Sequence, residues 1–171
     1  NDAAPPVDRP NLSKDYLAGS APEDWLPLRP DGFYAEAGID LRLESNVASI
    51  DTKARDVVIA GGGTLPYDRL LLATGAEPVR LPIPGADLDG VHLLRTVDDS
   101  VRLGDALRGN PRVAVIGAGW IGTEVAASAR QVGAEVTLID PNPVPLVRVL
   151  GRQMGELFAG LHADHGVQLR L

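Results

Sequence analysis

The spacing of apolar positions divides the chain into a loop-rich start, a run of short strands, and a stretch in which strands alternate with helices. Residues 1–38 carry prolines and short polar clusters and show helical spacing only over 12–18 and 33–37. From Ile39 the texture is that of β-structure. Residues 39–44 (IDLRLE), 47–52 (VASIDT) and 55–60 (RDVVIA) alternate or cluster β-formers, and Gly61, Gly62 and Gly63 turn the chain back into Thr64 and Leu65. A small antiparallel meander is predicted. Residues 67–75 (YDRLLLATG) form a continuous apolar run of the kind needed by a strand buried on both faces of a parallel sheet. Residues 77–90, with Pro78, Pro82, Pro84, Gly85 and Gly90, read as a connection between domains.

Beyond this connection the apolar spacing becomes helical. An amphipathic helix is predicted over 98–107, stopped by Gly109, Asn110 and Pro111. A strand over 112–116, a helix over 120–132 and a strand over 135–139 follow; helical spacing returns at 154–162, and 167–171 reads as a last strand. This alternation is the pattern of the α/β class.

Composition changes the picture mainly by exclusion. With 171 residues, 44% hydrophobic and 23% charged, the chain can bury one core or two small ones. A net charge of -7 without a basic run argues against a nucleic-acid surface, because phosphate contacts need clustered Lys and Arg. A small molecule or a protein is the expected partner. No apolar run is long enough for a membrane span, the N-terminus lacks the order of a signal peptide, and a cytoplasmic setting is expected. The absence of Cys removes disulfides, thiolate metal sites and a thiol relay from these residues. His92, His162 and His165 show no ligand spacing, His162 and His165 being read as decorating a helix end, and no metal is assigned.

The candidate chemistry lies in VAVIGAGWIGTE, residues 113–124. Gly117, Gly119 and Gly122 fit G-x-G-x-x-G between a strand and a helix, and Asp140 ends the next strand at the distance expected of a ribose-binding carboxylate. Gly117 allows the tight turn, Gly119 lets backbone approach a pyrophosphate, and Gly122 lets the helix lie close to the strand. Free N–H groups and the helix dipole favour an anion there. Asp140 would accept hydrogen bonds from ribose hydroxyls and repel a 2′-phosphate, so NAD is favoured over NADP. Glu124, on the first helical turn, is by itself a carboxylate stabilised near a helix N-terminus by about 0.3–1 kcal/mol.

Together with RPNLSK (Arg9 to Lys14), YDRLLLATG and Leu94-Arg95-Thr96, this turn resembles the FAD-dependent pyridine nucleotide-disulfide oxidoreductases. The likeness is to their ferredoxin and rubredoxin reductase and apoptosis-inducing-factor-like branch, and it spans nearly the whole chain. The resemblance implies three-layer, Rossmann-like FAD- and NAD(P)-binding domains with a small antiparallel β-meander. Residues 1–84 would be part of the FAD-binding domain, and 85–171 an NAD-binding domain cut short. The family's first glycine motif is missing and the chain does not begin with Met, so an internal fragment is expected, one that binds FAD poorly and can associate through exposed sheet edges.

By the same resemblance Arg9 and Pro10 would lie beside the flavin, and Lys14 would approach its redox edge and pair with Glu124. Val47 would touch the adenine end of FAD, Thr74 and Gly75 would line its path, and Arg95 would reach it from the NAD domain. Trp120 and Ile121 would flank the nicotinamide nucleotide, Trp120 standing where the family has a smaller apolar residue or Phe. Without the resemblance, Lys14 reads as a solvated lysine, Arg95 as a partner of Asp98 or Asp99, and Val47 and Thr74 as ordinary strand residues. The implied activity is hydride transfer from NADH to FAD, then electron delivery to a ferredoxin- or rubredoxin-type iron–sulfur protein. The alternatives are an apoptosis-inducing-factor-like protein in which turnover is incidental, and an isolated NAD-binding module.

Overall fold

A computed structural model describes residues 3–171, which gather into two compact units. The first comprises the residues up to Val7 with Pro27–Glu77, and the second comprises Asp8–Leu26 with Pro78–Leu171. The segment carrying Lys14 lies in the second unit.

In the first unit a short helix, α1 (Phe33–Glu36), precedes an antiparallel meander of β1 (Val47–Asp51), β2 (Asp56–Ile59) and β3 (Thr64–Pro66), in that order. Asp51 tightens the first hairpin by accepting from the N–H groups of Lys53 and Ala54, at 2.8 and 2.9 Å. Two expectations are corrected here. Residues 39–44 form no strand; Ile39 is exposed and Glu44 takes a positive φ of 50°. Residues 67–75 form no strand, with a bend at Asp68–Arg69 and Leu70, Leu71 and Leu72 exposed. The physical reason is the same in both: beyond the single bond from the Tyr67 N–H to the Arg55 carbonyl, no strand among the described residues pairs with either run, and an apolar run without a ladder cannot become a buried strand.

The second unit opens with a 3-10 helix, Arg9–Ser13, and continues after the proline-rich connection into α2 (Val97–Ala106). Thr96 and Asp99 close a capping box on α2, each side chain accepting the other's backbone N–H. The chain then runs through β4 (Arg112–Ile116), α3 (Trp120–Gln131), β5 (Glu135–Ile139), α4 (Val147–Asp164, broken at Gly151) and β6 (Gln168–Arg170). The three strands form a parallel sheet in the order β4-β5-β6, α3 linking the first pair and α4 the second. The predicted α/β alternation is therefore present, with α4 longer than the spacing indicated.

The core of this unit is built from Leu103 of α2 and Leu107 just after it, Val115, Val136 and Leu138 of the sheet, and Val125, Ala126 and Ala129 of α3. Ala126 and Ala129 are fully buried, and their small side chains let α3 lie close to the strands. His162 lies in the last turn of α4 and is buried there, and burial, followed by the nearby His165, lowers its pKa.

Candidate functional site

The turn between β4 and α3 is shaped by a close approach of backbone. Gly117 adopts φ 105°, and its N–H continues the ladder by donating to the Ile139 carbonyl at 2.8 Å. A Cβ on Gly122 would stand 1.8 Å from the Gly117 carbonyl oxygen, so only glycine lets α3 begin where it does. A Cβ on Gly119 would meet nothing within 4 Å. The space beside Gly119 is thus an open cradle, bordered by the first backbone N–H groups of α3, which lack intrahelical acceptors. Trp120 and Ile121 are exposed at its rim. These features fit the pyrophosphate of a dinucleotide.

Asp140 lies where the sequence places it, yet it does more than was expected. One carboxylate oxygen accepts from the Ala118 N–H at 2.7 Å, and the other accepts from the Asn142 N–H and side-chain amide at 2.8 and 2.7 Å. Burial alone would raise its pKa; the Ala118 and Asn142 hydrogen bonds and the charge of Arg148 outweigh that and bring it below the ordinary value. Three of roughly four acceptor positions of the carboxylate are occupied, leaving one for a ribose hydroxyl. The group that would read the nucleotide also pins the turn that would hold it.

Lys14 and Glu124 come together within the second unit, Glu124 being the fifth residue of α3 and so in its second turn rather than the first. The Lys14 ammonium lies 2.9 Å from Glu124 Oε1 and donates to the Pro10 carbonyl at 2.8 Å. The remaining Glu124 oxygen accepts from Ser13 Oγ at 2.5 Å. Lys14 remains 44% exposed, so with two of its three N–H directions used it keeps one for a further acceptor. This free donor, on a cation fixed beside the glycine turn, fits an electron-rich ring atom such as a flavin offers.

The other sequence candidates are more dispersed. Arg9 and Pro10 are exposed on the 3-10 helix that leads into Lys14. Arg95 lies just before α2, its backbone N–H donating to Asp99 at 3.0 Å, while the Asp99 carboxylate pairs with Arg102. Val47, at the start of β1, and Thr74 and Gly75, in the unladdered segment, belong to the first unit. Three serines escaped the sequence reading. Ser128 Oγ donates to the Ser13 carbonyl at 2.8 Å and Ser100 Oγ to the Leu12 carbonyl at 2.7 Å, both buried, while Ser13 grips Glu124. The one signal available was the spacing of Ser128, four residues after Glu124 and hence on the same helical face.

The sequence profile of the pyridine nucleotide-disulphide oxidoreductases matches residues 2–171. The chain belongs to this family. Among relatives, rhodocoxin reductase of Rhodococcus erythropolis is 40% identical over 166 residues, covering 97% of this chain and 39% of that protein. The ferredoxin–NAD(+) reductase subunit of the benzene 1,2-dioxygenase system of Pseudomonas putida is likewise 40% identical, covering 97% of this chain and 40% of its own. The crystal structure of a ferredoxin reductase from Rhodopseudomonas palustris superposes with a TM-score of 0.91 at 36% identity, over 99% of this chain and 42% of that one. The chain thus spans about two-fifths of the length of the oxidoreductases it matches. Its described residues contain no helix long and apolar enough to cross a membrane.

Proposed function

We propose that this chain is part of a cytoplasmic NADH-dependent flavoprotein reductase, one that transfers a hydride from NADH to FAD and passes electrons to a ferredoxin- or rubredoxin-type iron–sulfur protein. The Lys14–Glu124 pair carries this reading. A cation held by Glu124, in the second turn of the helix that opens on the glycine turn, supports a role in stabilising charge during hydride transfer. The relatives' names, ferredoxin–NAD(+) reductase among them, support the same chemistry.

On this reading residues 85–171 supply the NAD-binding domain and residues 1–84 part of the FAD-binding one. The N–H groups around Gly117, Gly119 and Gly122 hold the pyrophosphate of NADH, Asp140 accepts from its adenosine ribose, and Trp120 and Ile121 flank its nicotinamide end. Arg9, Pro10, Lys14, Val47, Thr74, Gly75 and Arg95 are the residues proposed to hold FAD. FAD, when bound, supplies two-electron acceptance and one-electron release; the protein supplies orientation and charge. Glu124 orients the Lys14 ammonium, and Lys14 places its positive charge against the flavin.

The test is Glu124→Ala in the full-length protein, followed by stopped-flow bleaching of flavin on mixing with NADH. The limiting rate should fall by up to about 100-fold, the scale of misplacing a positioned group. A rate equal to that of the parent would reject the role of the pair.

A further inference from the structure

We propose that Ser13 and Ser128 are positioning residues for the Lys14–Glu124 pair: Ser128 fastens the turn that carries Lys14 to α3, and Ser13 locks Glu124 in the orientation that meets the ammonium. The inference rests on the reading of the pair given above and extends it to residues that touch neither nucleotide.

The geometry is a closed circuit. Glu124 and Ser128 lie one turn apart on the same face of α3. Ser128 Oγ donates to the Ser13 carbonyl at 2.8 Å, and Ser13 Oγ donates back to Glu124 Oε2 at 2.5 Å. The second Glu124 oxygen faces Lys14 Nζ at 2.9 Å, and Lys14 in turn holds the Pro10 carbonyl at 2.8 Å. Ser100 adds an anchor one residue earlier, on the Leu12 carbonyl at 2.7 Å. A carboxylate engaged at both oxygens by donors on a fixed turn has one orientation; engaged at one, it can rotate and release the lysine.

The direction of these hydroxyls is informative. A buried helical Ser or Thr usually returns its proton to its own helix, as Thr123 does, bonding the Gly119 and Trp120 carbonyls at 2.9 Å. Ser128 and Ser100 instead reach out to carbonyls at the end of the 3-10 helix, which have no partner within that helix. Ser13 and Ser128 are each only 4% exposed, so neither hydroxyl has ready access to water as a substitute.

Competitive acylation tests this without relying on turnover. The chain has two lysines, Lys14 in the circuit and Lys53 on the exposed β1–β2 turn, which serves as an internal reference. In the full-length flavin-loaded protein, trace acylation read by peptide mass spectrometry should show the Lys14/Lys53 labelling ratio rising about three- to tenfold in Ser13→Ala. Ser13→Thr, which keeps the hydroxyl, should hold the ratio near that of the parent. Ser128→Ala, a substitution small enough to leave the fold intact, should raise it in the same way. An unchanged ratio in both alanine variants overturns the inference, even if the variants melt earlier, because that is the result of a merely structural role. A raised ratio upholds it. If Glu124→Ala then reduces flavin at the parental rate, the positioning stands and the role of the pair in flavin reduction falls.

Discussion

Replacing Gly122 by Ala sets two known effects against each other, and the structure decides the sign. In a helix, Gly to Ala is ordinarily stabilising by about 1 kcal/mol. Here the added methyl would stand 1.8 Å from the Gly117 carbonyl oxygen and 3.0 Å from its carbon, with Val115 Cγ1 at 3.5 Å behind it. A relaxed carbon–oxygen contact needs about 3.3–3.6 Å, so α3 or the turn has to give by about 1.5 Å. The obstacle is backbone, tied to β5 by the Gly117 hydrogen bond, and no flexible side chain can yield instead. Overpacking costs about 1–3 kcal/mol, and a rigid obstacle puts this case at the upper end. The net effect is then a loss of about 2 kcal/mol, or about 4–8 °C in Tm for a chain of this length. Gly119→Ala is the control. Its methyl meets nothing within 4 Å, so Tm should stay within about 2 °C, while the methyl fills the cradle and NADH affinity falls. Thermal melting and NADH titration of the two full-length variants check both halves. A Gly122→Ala protein that melts at or above the parental temperature would refute the close-approach argument and leave helix propensity as the ruling effect.

Thr96→Ala removes the reciprocal cap of α2 and should lower Tm by about 2–4 °C, corresponding to about 1 kcal/mol, with Thr96→Asn restoring most of it. Because burial and His165 depress the His162 pKa, folding favours its neutral form. The stability it contributes is complete above the unfolded value of about 6.5 and is lost as pH falls through the folded value, so the drop in Tm from pH 7 to pH 5 should shrink in His162→Gln. An unchanged drop would show that the imidazole does not carry it. Asp140→Asn removes the charge proposed to repel a 2′-phosphate, and the preference for NADH over NADPH, measured as the ratio of kcat/KM values, should narrow by about tenfold; an undiminished preference would move specificity elsewhere.

What the sequence could show was what repeats within a few residues. The glycine spacing, the apolar strand before it and Asp140 after the next strand are local patterns, and β4, α3 and β5 lie almost where they indicate. The meander was legible for the same reason, since its strands are neighbours joined by turn residues. Residues 39–44 and 67–75 carry the β-former clustering and the apolar run of strands, but a strand exists only through a partner's backbone, which a single run of sequence does not show. Asp140 was recognised for its place and not for its grip on Ala118, because a carboxylate's donors depend on the fold of the turn. Lys14 and Glu124 lie 110 positions apart, and only the family resemblance joined them beforehand. Their serines carried no signal of charge, spacing or rarity strong enough to be noticed.

The energetics of that pair suggest which contacts set its position. With side chains 44% and 25% exposed, an ion pair of this kind contributes little stability, typically well under 1 kcal/mol. It cannot be what brings Asp8–Leu26 into the second unit. That work falls to Leu12 and Leu17, buried to within a few per cent, and to the buried hydroxyls of Ser100 and Ser128. The apolar contacts fix where the segment lies, and the serines fix its rotation by capping particular carbonyls. The ion pair then follows as a consequence of the packing. A cation whose place is imposed by its surroundings has little reorganisation to undergo when charge develops beside it, and this is the condition under which a fixed charge is most effective in catalysis.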